Sequence, residues 1–420
     1  ISLSIFYLTQ GLLNMGFESA LIQDNLKINQ SKISSAWTME VLKGIILCVV
    51  LFSFSHQISL FLEKTEVRPL LQLTSLIFLI DGFKNIHVVF LKKNMNFKKI
   101  FILEFFPFLA SSIFTLLLAI KFKEAWIIIA GLIVNRLLYT LLSYVITNSK
   151  LKLKVSIAQI KDLFSFGKWI ILSSILSIVR VQGVNFFLAK CVGFESLGIY
   201  NRSVTFSEEL FNQVNNIYWK FGYPYLSKNN LDNKNLLSVF TKTFEVMFYI
   251  TLILFYSLIL IADVFVNSFF DVVIWADMIV MIKLISIYSL IMLLQSPFGI
   301  LYQSIGLPRL ATKVNFLFFI VIITTIYPFF LLYHVNGVIF SLILSSLVAF
   351  IYNNYLLHKY IELSLYKIYY PLKNNFFILL CIFLGFNICF ESSLFLLLFP
   401  FVGVSIVFKK HIQSFLKNDQ

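Results

Sequence analysis

Polar residues recurring at helical spacing within apolar sequence mark where this chain could do chemistry. The segment SLGIYNRSVTFSEELFNQVNNIYWKFGY (196–223) carries Arg202, Thr205, Glu209, Asn212 and Asn216 at intervals of 3, 4, 3 and 4. On a helix these five share an arc of about 80°. Just upstream, Ser173, Ser177 and Arg180 fall within about 60° of one another. Guanidinium forks suit phosphate and carboxylate oxygens, so the chemistry on offer is recognition of an anionic group. Bond-making constellations are not evident. His56, His87, His334, His358 and His411 are scattered without an HExxH pattern, and Cys48, Cys191, Cys381 and Cys389 lack metal-ligand spacing. Those thiols read as buried and inert, and neither a metal nor a cofactor is expected.

The elements that position these residues are membrane helices. Of 420 residues, 59% are hydrophobic and 13% charged, against about 25% charged in a soluble domain. A spanning helix needs about 20 apolar residues. Segments of that kind lie near 1–21, 36–62, 70–91, 99–120, 125–147, 163–189, 240–263, 276–305, 311–333, 335–357, 372–390 and 392–409. With 196–223 they predict thirteen spans. Trp37, Trp126, Trp169, Trp219 and Trp275 lie near proposed ends, where indole rings favour the interface. The chain opens on Ile1 within an apolar stretch that lacks the basic start and cleavage site of a signal peptide. The expectation is that the natural N-terminus lies upstream.

Loop charge gives the orientation. Alternate loops, starting with 22–35, hold 21 Lys and Arg, and the opposite loops hold five: Lys64, Arg68, Lys121, Lys123 and Lys190. The lysine-rich side is therefore cytoplasmic, and the C-terminal tail is on it. The net charge of +14 is an orientation signal, which argues against a nucleic-acid partner. It also bears on 196–223, which could lie flat in the interface or span with its stripe facing a wet interior. Without a crossing there, the later loops change sides, the inside count falls to 10 against 16 outside, and the bias disappears.

Eight cations remain within spans: Lys43, Lys84, Arg136, Lys168, Arg180, Arg202, Lys220 and Lys283. Lys168 and Lys220 sit near helix ends and can snorkel. The other six are the candidate substrate-binding cations, with Ser173, Ser177, Thr205, Asn212 and Asn216 as a polar cavity wall. Among intramembrane carboxylates, Glu209, Glu40, Asp81, Glu104 and Glu245 are candidates for binding a coupling H⁺ or Na⁺, and Glu208 is a further carboxylate. Glu40/Lys43 and Asp81/Lys84 are spaced i,i+3, so internal ion pairs are the competing reading. Pro297, Gly299 and Pro328 interrupt two spans as expected kink sites.

Spans two to five start near 36, 70, 99 and 125 and spans eight to eleven near 240, 276, 311 and 336, offsets of 204, 206, 212 and 211, and LKKNMNFKKI (91–100) corresponds to GLPRLATKVN (306–315). An even number of helices per repeat leaves the halves parallel. The expected architecture is an all-α polytopic membrane protein of two six-helix lobes plus a terminal pair. It has an N-terminal lobe (1–147, first helix missing), a cytoplasmic linker (148–162) and a C-terminal lobe (163–357). A second linker (358–371), the helix pair (372–409) and a cytoplasmic tail (410–420) follow.

This pattern resembles the multidrug/oligosaccharidyl-lipid/polysaccharide exporter superfamily, and within it the bacterial polysaccharide-repeat flippases of the O-antigen and colanic acid type. The stretches that carry the likeness are GFESALIQ (16–23), NMNFKKIFILE (94–104), LFSFGKWIILSSIL (163–176), FLAKCVGFESLGIYNRSVTFSEEL (187–210) and GLPRLATKVN. The resemblance implies fourteen helices in the complete chain and a place in the bacterial inner membrane. It implies transport of undecaprenyl-diphosphate-linked oligosaccharide by alternating access of the two lobes, for O-antigen, capsule or exopolysaccharide synthesis. The implied partners are that substrate, membrane lipids, a coupling H⁺ or Na⁺ and polysaccharide-assembly proteins. Arg180 and Arg202 would then meet the diphosphate or acidic sugars. Rival readings are a polymerase or ligase of the same pathway, a drug exporter, or a lipid II exporter. An enzyme is disfavoured, because the longest outer loop, 264–275, holds no acid pair or nucleophile constellation.

Overall fold

A computed structural model describes residues 16–24, 30–61, 65–149, 151–228 and 233–361. Among these residues the regular structure is entirely helical. The helices are α1 (Phe17–Gln23), α2 (Gln30–Phe61), α3 (Val67–Gly82), α4 (Val88–Lys93), α5 (Phe97–Phe122), α6 (Trp126–Thr147), α7 (Ile157–Cys191), α8 (Phe194–Lys228), α9 (Asn233–Phe269), α10 (Val272–Ser304) and α11 (Pro308–Ile361). Seven of them are long and apolar enough to cross a membrane, which makes the chain a multi-pass membrane protein. The expected span 372–390, the span 392–409 and most of 1–21 lie outside the described residues, as do the second linker from 362 and the tail.

Exposed apolar surface fits a lipid environment. Phe101, Phe105, Phe106, Phe108, Leu116, Leu117 and Ile120 of α5 are all exposed. In water such a patch would be an aggregation liability; in a bilayer it is the surface that meets lipid.

The chain forms two compact units, Ile1–Ile178 and Val179–Gln420, and the division falls within α7. The linker residues before α7 are stitched to the first unit. Lys154 N donates to Thr38 Oγ1 (3.1 Å), and Ser156 N donates to Ser35 Oγ (3.1 Å). Asn85 Nδ2 donates to Ser149 Oγ (3.1 Å). Part of the segment expected as linker, from Ile157 on, is already helix.

In the first unit, Leu47, Leu51, Leu71, Ile77, Phe78 and Ile129 form a core between α2, α3 and α6. Two glycines bring α2 and α3 together. A Cβ on Gly44 would meet Phe78 O at 2.6 Å, and one on Gly82 would meet Gly44 Cα at 3.2 Å. Small residues of this kind let membrane helices approach backbone to backbone. The expected single span 70–91 is broken: α3 stops at Gly82 and α4 resumes at Val88. Buried Asn85 takes over the backbone there, since its N–H donates to Ser143 Oγ (2.9 Å) and its Oδ1 accepts from His87 N (3.0 Å).

In the second unit α10 is the central element, packed against α8, α9 and α11. Phe211, Met247, Leu258 and Leu293 form one core cluster, and Ala262, Val266, Met278 and Ile282 another. The 54 residues of α11 are two helices joined at His334, whose φ of 51° and ψ of −131° are not helical. Thr325 and Ser341 share a hydroxyl hydrogen bond of 2.6 Å across that point. Sixteen residues of continuous helix would separate them by about 24 Å, so the chain doubles back. This is the boundary expected between 311–333 and 335–357.

The internal repeat recurs in the turns. Met95 (φ 55°) precedes α5 as Gly306 (φ 80°) precedes α11, and Lys123 (φ 52°) precedes α6 as His334 precedes the second arm of α11. Both pairs are 211 residues apart, matching the offsets of the corresponding spans.

Candidate functional site

The side chains that could recognise a polar cargo fall into two groups, one in each unit. In the first unit the deep charges neutralise one another. Lys43 is ion-paired with Glu40 one turn away. Lys84 is paired with Glu18, which also holds Lys92 at 2.9 Å. Arg136 Nη1 lies 3.7 Å from Asp81 Oδ1. The expected Asp81/Lys84 pair does not form, because α3 ends between them and Lys84 leaves the helical register. On α4, Glu18 raises the pKa of Lys92. Glu104 is half-buried on α5.

In the second unit Lys283 is paired with Asp263 (2.7 Å). Arg180 is different. It is half-buried on α7, and among the described residues no carboxylate lies within ion-pair distance. Its Nε is buried without a hydrogen-bond partner. Its Nη1 reaches only Met292 Sδ (3.9 Å), and its guanidinium carbon lies 4.6 Å from the Phe318 ring centre. Burial of a charge without a partner is costly, so such an arginine needs something else to meet.

Arg180 opens on a cavity of about 130 Å³ lined by Glu208, Phe211, Asn212 and Asn215 of α8 and Tyr288, Ser289, Met292 and Leu293 of α10. Ser289 Oγ is also buried without a partner. The cavity therefore offers a cation, a carboxylate, two amides and two hydroxyls over an apolar floor, which is equipment for binding a polar group.

The sequence-predicted residues divide accordingly. Arg180 and Asn212 come together at this cavity. Arg202, Thr205, Glu209 and Asn216 do not line it and are exposed on α8. Thr205 Oγ1 donates to Asn201 O (2.8 Å), and Glu209 Oε1 accepts from Gln213 Nε2 (2.7 Å). Ser173 and Ser177 lie half-buried on α7 before the unit boundary. Glu245 accepts from Tyr249 OH (3.4 Å) within α9. Lys168 Nζ lies 5.3 Å from the ring centre of Trp169.

Glu208 and Asn215 line the site but lie outside the polar stripe that the sequence marks. They stand about 40–60° beyond the edge of the stripe, with Asn212 on the border between the two arcs. Their seven-residue spacing puts them on one face, and that is the signal that could have found them.

Solved structures show what kind of fold this is. The chain matches an outward-facing multidrug resistance MATE family transporter of the MOP superfamily with a TM-score of 0.64, at 13% identity over 84% of each chain. A MATE structure in the bent conformation gives a TM-score of 0.66, at 12% identity over 83% of each. The chain thus has the MATE-like fold of that transporter superfamily. At these identities the likeness concerns the fold alone.

Residues 1–280 match the model of the family described as "Polysaccharide biosynthesis protein", and the chain belongs to that family. It is similar to a membrane protein in the cps region of Klebsiella pneumoniae (25% identity; 77% of this chain, 67% of the relative). It is also similar to the teichuronic acid biosynthesis protein TuaB of Bacillus subtilis strain 168 (24%; 72% and 62%). The lipopolysaccharide biosynthesis protein WzxC of Escherichia coli K12 is a third such relative (24%; 75% and 64%). The chain thus spans about two thirds or less of the length of these curated relatives.

Proposed function

We propose that this protein is a flippase that carries undecaprenyl-diphosphate-linked oligosaccharide repeat units from the cytoplasmic to the outer leaflet of a bacterial inner membrane. The cargo would serve surface polysaccharide synthesis, and the mechanism is alternating access. Family membership and the polysaccharide roles in the names of TuaB and WzxC support this reading, as does the transporter fold. Transport rather than enzymatic chemistry follows from the same grounds. The observation that carries the reading is Arg180: four other deep cations have carboxylate partners, while this one faces a polar cavity with its Nε unmatched. A buried donor kept without a protein partner is explained by a ligand that supplies one.

Exposed Arg202 is the proposed contact for the diphosphate of the cargo, and Arg180 the proposed contact for its sugars, acidic ones included. Coupling to H⁺ or Na⁺ would run through one of the carboxylates Glu209, Glu40, Asp81, Glu104 or Glu245. The lysine bias of the loops supports a cytoplasmic C-terminus. Complementation tests the proposal: the chain is expressed in a strain lacking its repeat flippase, and surface polysaccharide is measured. Restored polysaccharide is expected. Its absence across strains with different repeat units, at normal expression of the chain, would contradict the reading.

A further inference from the structure

We infer that the Arg180 cavity is a subsite for the hydroxyl edge of one sugar ring, neutral or singly charged, and that Glu208 makes it reject the diphosphate. This rests on the flippase reading above. Arg180 and Glu208 line one cavity from α7 and α8, yet neither an ion pair nor a hydrogen bond joins them. Opposite charges sharing so small a space normally close into a pair when nothing is meant to come between them. A hydroxyl group satisfies both at once, accepting from the guanidinium and donating to the carboxylate. Vicinal hydroxyls of a pyranose repeat that arrangement. Asn212 offers a donor and an acceptor, Asn215 offers its amide donors while its Oδ1 accepts from Ser296 Oγ, and Ser289 adds a buried hydroxyl that lacks a partner.

Size and charge point the same way. A cavity of about 130 Å³ has room for roughly four waters, enough for one edge of a ring. Its fixed charges, Arg180 and Glu208, balance. A diphosphate would bring two or more negative charges against Glu208 with Arg180 alone to offset them, whereas a neutral ring or a single sugar carboxylate brings at most one.

The test uses the full chain, purified in detergent, and saturation-transfer NMR. The probes are methyl α-D-glucopyranoside and D-glucuronate, with inorganic pyrophosphate as competitor. The wild type should saturate both sugars, and pyrophosphate should not displace them. Arg180→Gln should weaken sugar binding about tenfold or more, the usual scale of a lost charged hydrogen bond. The near-isosteric Glu208→Gln keeps the shape of the site and removes its negative charge, so pyrophosphate should now compete. The inference is overturned if pyrophosphate displaces the sugars from the wild type, if neither sugar is saturated, or if Glu208→Gln leaves pyrophosphate excluded. Restored surface polysaccharide alongside failed sugar binding would sink this inference and leave the flippase reading standing. Sugar binding by a chain that restores no polysaccharide would sink the flippase reading and, with it, the assignment of the sugar to a transported repeat unit.

Discussion

Arg180 differs from Lys43, Lys84, Arg136 and Lys283 in what it faces, and single-residue experiments can read that difference. Arg180→Ala should cut export about tenfold or more at normal expression, because it removes a charged donor that the protein leaves unpaired. Lys283→Met should leave export nearly unchanged, because Asp263 already neutralises that lysine at 2.7 Å. Glu18 is a stability residue by the same logic. Glu18→Gln leaves Lys84 and Lys92 without their shared carboxylate and should destabilise the protein by about 1–3 kcal/mol, read as a lower Tm in detergent. Adding Lys84→Met should recover part of the loss, and a double variant no more stable than Glu18→Gln would contradict this. Only part of the residue scale was legible in the sequence: of the residues that line the cavity, Arg180 and Asn212 stood out by type and spacing. Glu208 and Asn215 did not, because a polar stripe marks which arc is polar and not which neighbour it faces. The pairing of Lys84 with Glu18 was hidden for another reason: it spans 66 residues of chain and depends on α3 ending at Gly82.

At the scale of elements, α8 is the decisive helix. It is a continuous 35-residue helix, about 52 Å long at 1.5 Å per residue, so it is long enough to cross a bilayer. It is also too polar to rank among the seven hydropathic spans. If it crosses, exposed Cys191 just before it and a cysteine placed at Lys228 lie on opposite sides. In a background with Cys48, Cys381 and Cys389 replaced by serine, an impermeant maleimide added outside intact cells should label Cys191 and spare Lys228→Cys. Labelling of both from outside would mean that α8 lies flat. The hairpin in α11 offers a separate check. His334 holds a backbone conformation that suits glycine, and such residues store about 1–3 kcal/mol of strain. His334→Gly should therefore raise the Tm in detergent, and an unchanged or lower value would count against that assignment. The boundary itself was legible because the apolar run is too long for one span. The break in α3 was not, since Phe83–Phe90 is apolar enough to read as continuous helix.

For the whole molecule, two features of the sequence carried the architecture. Lysine bias between alternate loops underlies the proposed orientation, and span spacing underlies the expected repeat. Positive-φ turns 211 residues apart give that repeat a geometric counterpart. The division of the chain at 178/179 was less legible, because the linker's attachment to α2 depends on hydroxyls at Ser35 and Thr38 more than a hundred residues upstream. The central claim is that this molecule moves a lipid-linked oligosaccharide across the bilayer. The most direct measurement is the leaflet in which that lipid resides. In flippase-deficient cells carrying the chain, radiolabelled repeat units should become susceptible to an impermeant oxidant such as periodate added to spheroplasts, and Arg180→Ala should leave them protected. Repeat units that stay protected in cells expressing the wild-type chain would contradict the account.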